Sequence, residues 1–464
     1  MLTDYDPPAA PLQQWSWKKI LLGLLGLLTV FLIAILAYDT KLEPCDDLQP
    51  VLREIPDAKS NGYLFLAERW EKLPDISRQD QEKVGQMIQG SKPWDPALLE
   101  TVRKGREKVA ADLTAALARK EWLVPPILTY SQLTTDTSPT WIVKPCRYLR
   151  LEAVAAARDG DFATALTLLQ QLHQLSARQI ASQGNLISFL VAVSLQSMAA
   201  ELCCELLDQG TPDDAQIQAM AALWQDEPAA AEGWDAAMRS EVAFMSDMVQ
   251  RIKAGSLPDV PWYSGLLLKP NQTLNRYHRR MRNLMKITFE EFPSMDAAKK
   301  AGLDTQPGRG YLGKILNPNF QGLQLAEGAE SFVGIAKSLR KVWFTPRAMR
   351  VRLALHRWRA SHPNQWPATL DELVPDFLSA VPTDPWNGKP LLWDSTNLTI
   401  YAVGADWAGN LPKFDPTKRS WFAEDSDSPG IRLTRPPPPA PRPSLIPGKK
   451  PLLLSPKKPP QIAK

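Results

Sequence analysis

The stretch PCRYLRLEAVAAARDGDFATALTLLQQLHQL, residues 145–175, decides the fold class. Apolar residues recur every three or four positions on both sides of Asp159-Gly160-Asp161, the spacing of two amphipathic helices joined by a tight turn. On the second helix Phe162, Ala165, Leu166, Leu169 and Leu172 fall on one stripe. Such a stripe must be covered by further elements, so the hairpin predicts a helical body around it.

Moving outward, the same period continues. Downstream, NLISFLVAVSLQSMAAELCCELLDQG (185–210) places Ile187, Leu190, Val191, Leu195, Met198, Leu202 and Leu206 at three- and four-residue steps, with Gly210 as the stop. Upstream, DPALLETVRKGREKVAADLTAALAR (95–119) opens on Asp95 as a cap and Pro96 at the first helical position. The joint at 155–166 looks like that of a tetratricopeptide repeat. A single copy is found, and such arrays need about three repeats to stack. A TPR-like hairpin inside an irregular helical bundle is therefore expected, with loops rich in Pro, Gly and Asn breaking the helices over 257–320.

The chain has 464 residues, 44% hydrophobic and 22% charged, so it can bury a core of more than one domain. Its net charge of +4 does not favour nucleic acid as a partner. Residues 20–38 carry no charge, and at 1.5 Å rise they span roughly 28 Å, close to the hydrocarbon thickness of a bilayer. Lys18 and Lys19 precede the run; Asp39, Glu43, Asp46 and Asp47 follow it. The excess of cations on its N-terminal side orients a single-pass helix with the N-terminus in the cytoplasm and the bulk outside, at the inner membrane. The competing readings are a cleaved signal peptide, whose apolar core runs only about 7–15 residues, and a buried core helix, which would carry a polar face. Outside the cytoplasm a Cys45–Cys146 disulfide is compatible with the sequence, which does not fix connectivity. Cys203 and Cys204, in an apolar helical pattern, read as packed free thiols.

A second unit is expected from Thr345 onward. Thr345 and Pro346 read as a cap and first helical position, and a helix follows to Pro363. In WPATLDELVPDFLSAVPTDPWNGKPLLW (366–393), Thr369 and Glu372 have capping-box spacing for a short helix, and Asp384-Pro385 with Gly388 mark a turn. PLLW and LTIYAV then read as a hairpin across a loop at 394–397. These motifs, with Ile400-Tyr401-Ala402-Val403-Gly404-Ala405-Asp406, make residues 347–410 resemble the C-terminal domain of the major pseudopilins of type II secretion. The resemblance covers about a seventh of the chain and implies a small α+β module. It also implies a calcium ion in the loop after Gly404, with Asp406, Asp425 and Asp427 as ligands, a carboxylate set suited to a hard cation. Two departures stand out. The apolar run lies some three hundred residues before this module, and QQWSWKKILLG (13–23) has neither the cleavage glycine nor the glutamate of a prepilin site. A processed pilus subunit is therefore not expected. The layout as a whole resembles membrane-anchored bacterial envelope proteins.

From about residue 424 the chain turns proline-rich and basic, with eleven prolines between Pro436 and Pro460, the composition of a disordered, polyproline-biased tail. The expected division is thus a cytoplasmic tail (1–17), a transmembrane helix (18–38), an extracytoplasmic helical domain (39–345), the pseudopilin-like module (346–423) and the tail (424–464).

Catalytic signatures are weak. GRGYLG (308–313) spells a glycine fingerprint but follows no strand. His173, His278, His356 and His362 lack zinc-type spacing, and no nucleophile elbow is present. Two basic stretches, 276–286 and 337–359, suit anionic lipid headgroups or an acidic wall polymer, or else are cationic faces paired within the fold. The expectation is a non-enzymatic envelope scaffold or accessory protein of a type II secretion or pilus-like system. The alternatives are a membrane-anchored hydrolase acting on the envelope and a helical-repeat peptide receptor.

Overall fold

The computed structural model describes residues 17–289 and 331–435, apart from 136–138, 228, 259, 266–267, 364, 405–408, 416–418 and 424–427, together with 319, 322 and 325. Among these the chain is mainly helical, with one three-stranded antiparallel sheet. The helices in chain order are α1 (Trp17–Ala37), α2 (Gly62–Trp70), α3 (Arg78–Ile88), α4 (Pro96–Arg103), α5 (Val109–Leu117), α6 (Tyr130–Thr135), α7 (Val143–Arg158), α8 (Phe162–Ala181), α9 (Leu186–Gln209), α10 (Asp214–Leu223), α11 (Ala230–Ala254), α12 (Pro270–Phe289) and α13 (Ser331–Ser361). The strands are β1 (Leu392–Asp394), β2 (Thr399–Tyr401) and β3 (Gly430–Arg432), in that order across the sheet.

The centre is the hairpin read from the sequence. Gly160, with φ of 85°, turns the chain between α7 and α8, and Asp161 Oδ1 accepts from the Thr164 N–H at 3.0 Å to cap α8. The α8 stripe is buried except for Leu166, which is half-buried. Helix α9 packs along both helices of the hairpin and is buried on most of its surface; of its predicted stripe only Ile187 is exposed. Full burial of each leucine there contributes about 1.5–3 kcal/mol. Asp95 caps α4 as expected, accepting from Ala97 at 3.0 Å and Leu98 at 3.1 Å. All four cysteines are free thiols. Cys45 and Cys146 belong to different apolar clusters, and the disulfide that the sequence allows is not formed.

Helix α9 is also the described helix long and apolar enough to cross a membrane, but 67% of its most apolar window is buried inside the protein. Its hydropathy is explained by its place in the core. Helix α1 contains the predicted N-terminal span. Among its described side chains, at 21–31, every one is exposed, including Leu21 and Leu22 at 70% each.

Four sequence expectations need correction in the C-terminal part. Helix α13 does not begin at Pro346; it begins at Ser331 and carries Pro346 in its interior. An interior proline lacks the N–H that would reach the carbonyl four residues back, here Val342. The buried Gln196 of α9 fills that place, donating Nε2 to the Val342 oxygen at 3.1 Å. The capping box belongs to a single 3-10 turn, Leu370–Leu373, with Glu372 Oε1 accepting from Ala368 at 2.7 Å and Thr369 at 3.0 Å. The β1–β2 loop is 395–398, one residue later than expected, because Asp394 pairs with Thr399 while its carboxylate accepts from Thr396 and Asn397.

The fourth correction concerns the tail. Residues 428–435 were expected to be disordered; instead they are ordered, and β3 pairs antiparallel with β2, Ile400 opposite Ile431. Apolar alternation around Ile431 supplies the buried side chain that a solvated tail would lack. One hydrophobic cluster runs from Tyr63 of α2 through α7, α8 and α9 to Trp386, Ile400 and Ile431. Residues 436–464, GRGYLG at 308–313 and the proposed calcium ligands Asp406, Asp425 and Asp427 lie outside the described residues.

Candidate functional site

The cleft between the α2–α4 region and the α7–α9 pair has a volume of about 590 Å³ and a mostly apolar lining. Trp70 closes α2 and meets Trp141 edge-on at 6.3 Å between ring centroids. Trp141 lies on the 3-10 turn Pro139–Ile142 that leads into α7, and Tyr63 tilts against it at 5.4 Å. Tyr148 of α7 and Val193, Ser197 and Met198 of α9 complete the opposite wall. The aromatic side is fixed because Gly62 lets α2 approach α5 closely; a Cβ there would press on Ala116 and on the Trp122 ring.

Three cations around this cleft, Arg150, Arg106 and Lys144, are engaged within the fold. Arg150 forms its floor. Its guanidinium meets Glu205 at 2.5 and 2.9 Å and Glu201 at 2.6 Å, a fork on two carboxylates one helical turn apart. Burial works against the Arg150 charge, but Glu205 and Glu201 together hold it well above the ordinary guanidinium value. Glu205 also receives Arg435 at 3.4 Å, from the far end of the described chain. Arg106 donates to the carbonyls of Pro74 and Val102, the latter at 2.8 Å, and burial lowers its pKa. Lys144 pairs with Asp75 and holds that carboxyl below its ordinary value. Burial, then Glu152, raises the Tyr148 phenol. The arrangement has the features of a binding groove: a largely apolar, aromatic-sided slot over an ionic floor.

Sequence reasoning missed this site. One signal was available: Glu201 and Glu205, four residues apart, interrupt an otherwise apolar helix, and buried carboxylates require cations.

The motifs at 384–388 and 400–404 converge on Asp384. Its Oδ1 accepts from Trp386 N–H at 2.7 Å within DPWNG, and its Oδ2 accepts from Val403 N–H at 2.7 Å within IYAVGAD. Gly388 and Gly404 take positive φ beside it. Burial raises the Asp384 pKa against these backbone donors. Trp393 Nε1 donates to Pro367 oxygen at 3.0 Å, tying the third motif in.

Of the two basic stretches, 337–359 uses cations within the fold. Arg347 pairs with Glu227, Arg357 with Asp214 at 2.8 Å, and Arg352 stacks on Trp421 at 4.4 Å while donating to the Arg432 carbonyl. The stretch 276–286 lies on α12, whose Leu274, Tyr277, Met281 and Leu284 face inward. On the outer side Arg276, Arg279 and Arg280 line a polar cleft of about 480 Å³. Arg282 forks onto Asp47 at 2.6 and 2.7 Å. Asp39, two residues beyond α1, accepts from Asn271 at 2.9 Å and Gln272 at 3.1 Å at the start of α12.

The histidines are dispersed. His173 meets the Trp224 ring at 4.7 Å, and burial lowers its pKa to about 4. His362 stacks on Trp358 at 4.0 Å, and His278 is buried. Among the described residues no three His, Cys, Asp or Glu side chains gather as a metal site. Comparison with known proteins returns no matching family model, no similar curated protein and no similar solved structure.

Proposed function

We propose that this chain is a membrane-tethered, non-enzymatic scaffold of the cell envelope, an accessory to a type II secretion or pilus-like machine. In this reading α1 is the anchor at the inner membrane, with the N-terminus cytoplasmic. The helical body and the Asp384-centred module stand outside, where the aromatic cleft takes up a partner segment. The observation that carries the reading is the uniformly exposed apolar surface of α1 at 21–31, which no element among the described residues covers and which lipid would. The pairing of Arg150, Arg106 and Lys144 supports binding over proton transfer, since these groups are engaged in holding the cleft walls.

The cationic outer side of α12 begins beside the end of α1, so anionic headgroups are the external partners this face suits, where Arg279 also meets Glu43 at 3.9 Å. The experiment is crosslinking of the full-length chain in intact cells, followed by alkaline carbonate washing of the membranes. The chain is expected in the pellet, crosslinked to secretion or pilus components. Release of the intact chain into the supernatant overturns the anchor, and crosslinks confined to other classes of protein overturn the assignment to such a machine.

A further inference from the structure

We propose that the proline-rich segment 436–464 docks in cis in the aromatic cleft and competes there with any partner segment. The proposal rests on the reading of the cleft as a binding groove, and it names one occupant.

The first argument is where the described chain stops. Arg435 is not released to solvent. Its side chain is 4% exposed, stacks on Trp421 at 4.7 Å and pairs with Glu205 at 3.4 Å. Its Nη1 also donates at 3.3 Å to the carbonyl of Ile88, a residue of the cleft wall. Glu205 shares Arg150 with Glu201, and Arg150 and Glu201 both line the cleft. The Arg435 side chain therefore reaches the ionic floor and wall of the cleft, while the residue itself borders the neighbouring hollow lined by Phe414 and Arg432, so the segment after it begins about one side chain's length from the cleft.

The second argument is length and composition. Residues 436–464 include eleven prolines. Such a sequence favours the polyproline II form, which rises about 3.1 Å per residue and has no internal hydrogen bonds. Ten residues would extend about 30 Å.

The third argument is chemical fit. Polyproline segments bind in grooves lined by aromatic rings, where a chain already restricted loses little entropy. Trp70, Trp141 and Tyr148 line such a groove. Charge does not drive the match, since the rim carries both Glu71 and Arg147; ring stacking and shape do. Tethering raises the effective concentration of the segment, so even weak contacts keep the slot occupied.

The test uses the full-length chain with a photoreactive side chain on the cleft wall, Ser194→p-benzoylphenylalanine. Ser194 is exposed and lines the cleft. The same probe at exposed Gln218, outside the cleft, sets the background. The expected result is an intramolecular crosslink from position 194 to residues 436–464, at a yield independent of protein concentration and at least fivefold above position 218. Equal yields at both positions, or crosslinks only between copies, overturn the proposal.

A second readout leaves the cleft untouched. The full-length chain with its eleven tail prolines replaced by serine should bind a synthetic 436–464 peptide at least tenfold more tightly than the parent chain. Equal affinities overturn the proposal. Both measurements are made on purified protein, so they stand apart from any failure to recover secretion components.

Discussion

Glu241 shows how a single side chain sets a pH response. It lies on α11 and accepts from the Leu186 N–H at 3.4 Å, where α9 begins. Burial raises its pKa to about 7, against that one backbone bond. The unfolded carboxyl ionises near 4.5. Stability is therefore full below that value and declines as the pH rises through 7, because the folded state must hold a desolvated anion. The rise corresponds to roughly 3 kcal/mol at most. Glu241→Gln is expected to be neutral near pH 4.5 and stabilising at pH 8. Urea midpoints of the full-length chain across that interval check it. Asp384 belongs to the same scale: Asp384→Asn leaves one of two backbone donors without its acceptor and should cost about 1–3 kcal/mol, read as a lowered melting temperature.

Helix α13 carries the argument at the scale of the element. Pro346 frees the Val342 carbonyl and Gln196 answers it, so two helices distant in sequence share one hydrogen bond. Gln196→Leu should destabilise the protein by about 1–3 kcal/mol, through a buried oxygen left unpaired. In a Pro346→Ala background the helix supplies its own N–H, and the cost of Gln196→Leu should fall by half or more. A double-mutant cycle on unfolding free energies measures this coupling.

The same element explains what the sequence made legible. The α7–α8 hairpin and α9 were readable because their stripes are long and their turns hold Asp, Gly and Asn where caps and positive φ are needed. The start of α13 was not, because Thr-Pro has the local signature of a helix start while a residue 150 positions earlier cancels the proline's cost. β3 was hidden for a similar reason. Three residues have almost no period of their own, and Gly430–Arg432 becomes a strand only beside β2. The cleft stayed out of reach because Trp70 comes from one segment and Trp141 and Tyr148 from another far along the chain.

For the whole molecule, the buried ions join the last described residue to the centre of the helical body. Arg150 of α7, Glu205 of α9 and Arg435 past β3 form one network. Glu205→Gln leaves two arginines underneutralised and should cost about 3–5 kcal/mol, the range for breaking a buried pair. Arg435→Ala, removing one donor of a shared carboxylate, should cost less. Guanidinium unfolding of both variants and their double mutant gives the order.

Asp39 has a consequence of the same reach. It stands two residues past α1 and is already bound to the first turn of α12. No hinge of any length separates the N-terminal helix from the body. If that helix sits in lipid, the body has no free swivel. Its tilt and azimuth are those of the rod beneath it, and a partner must come to a fixed heading.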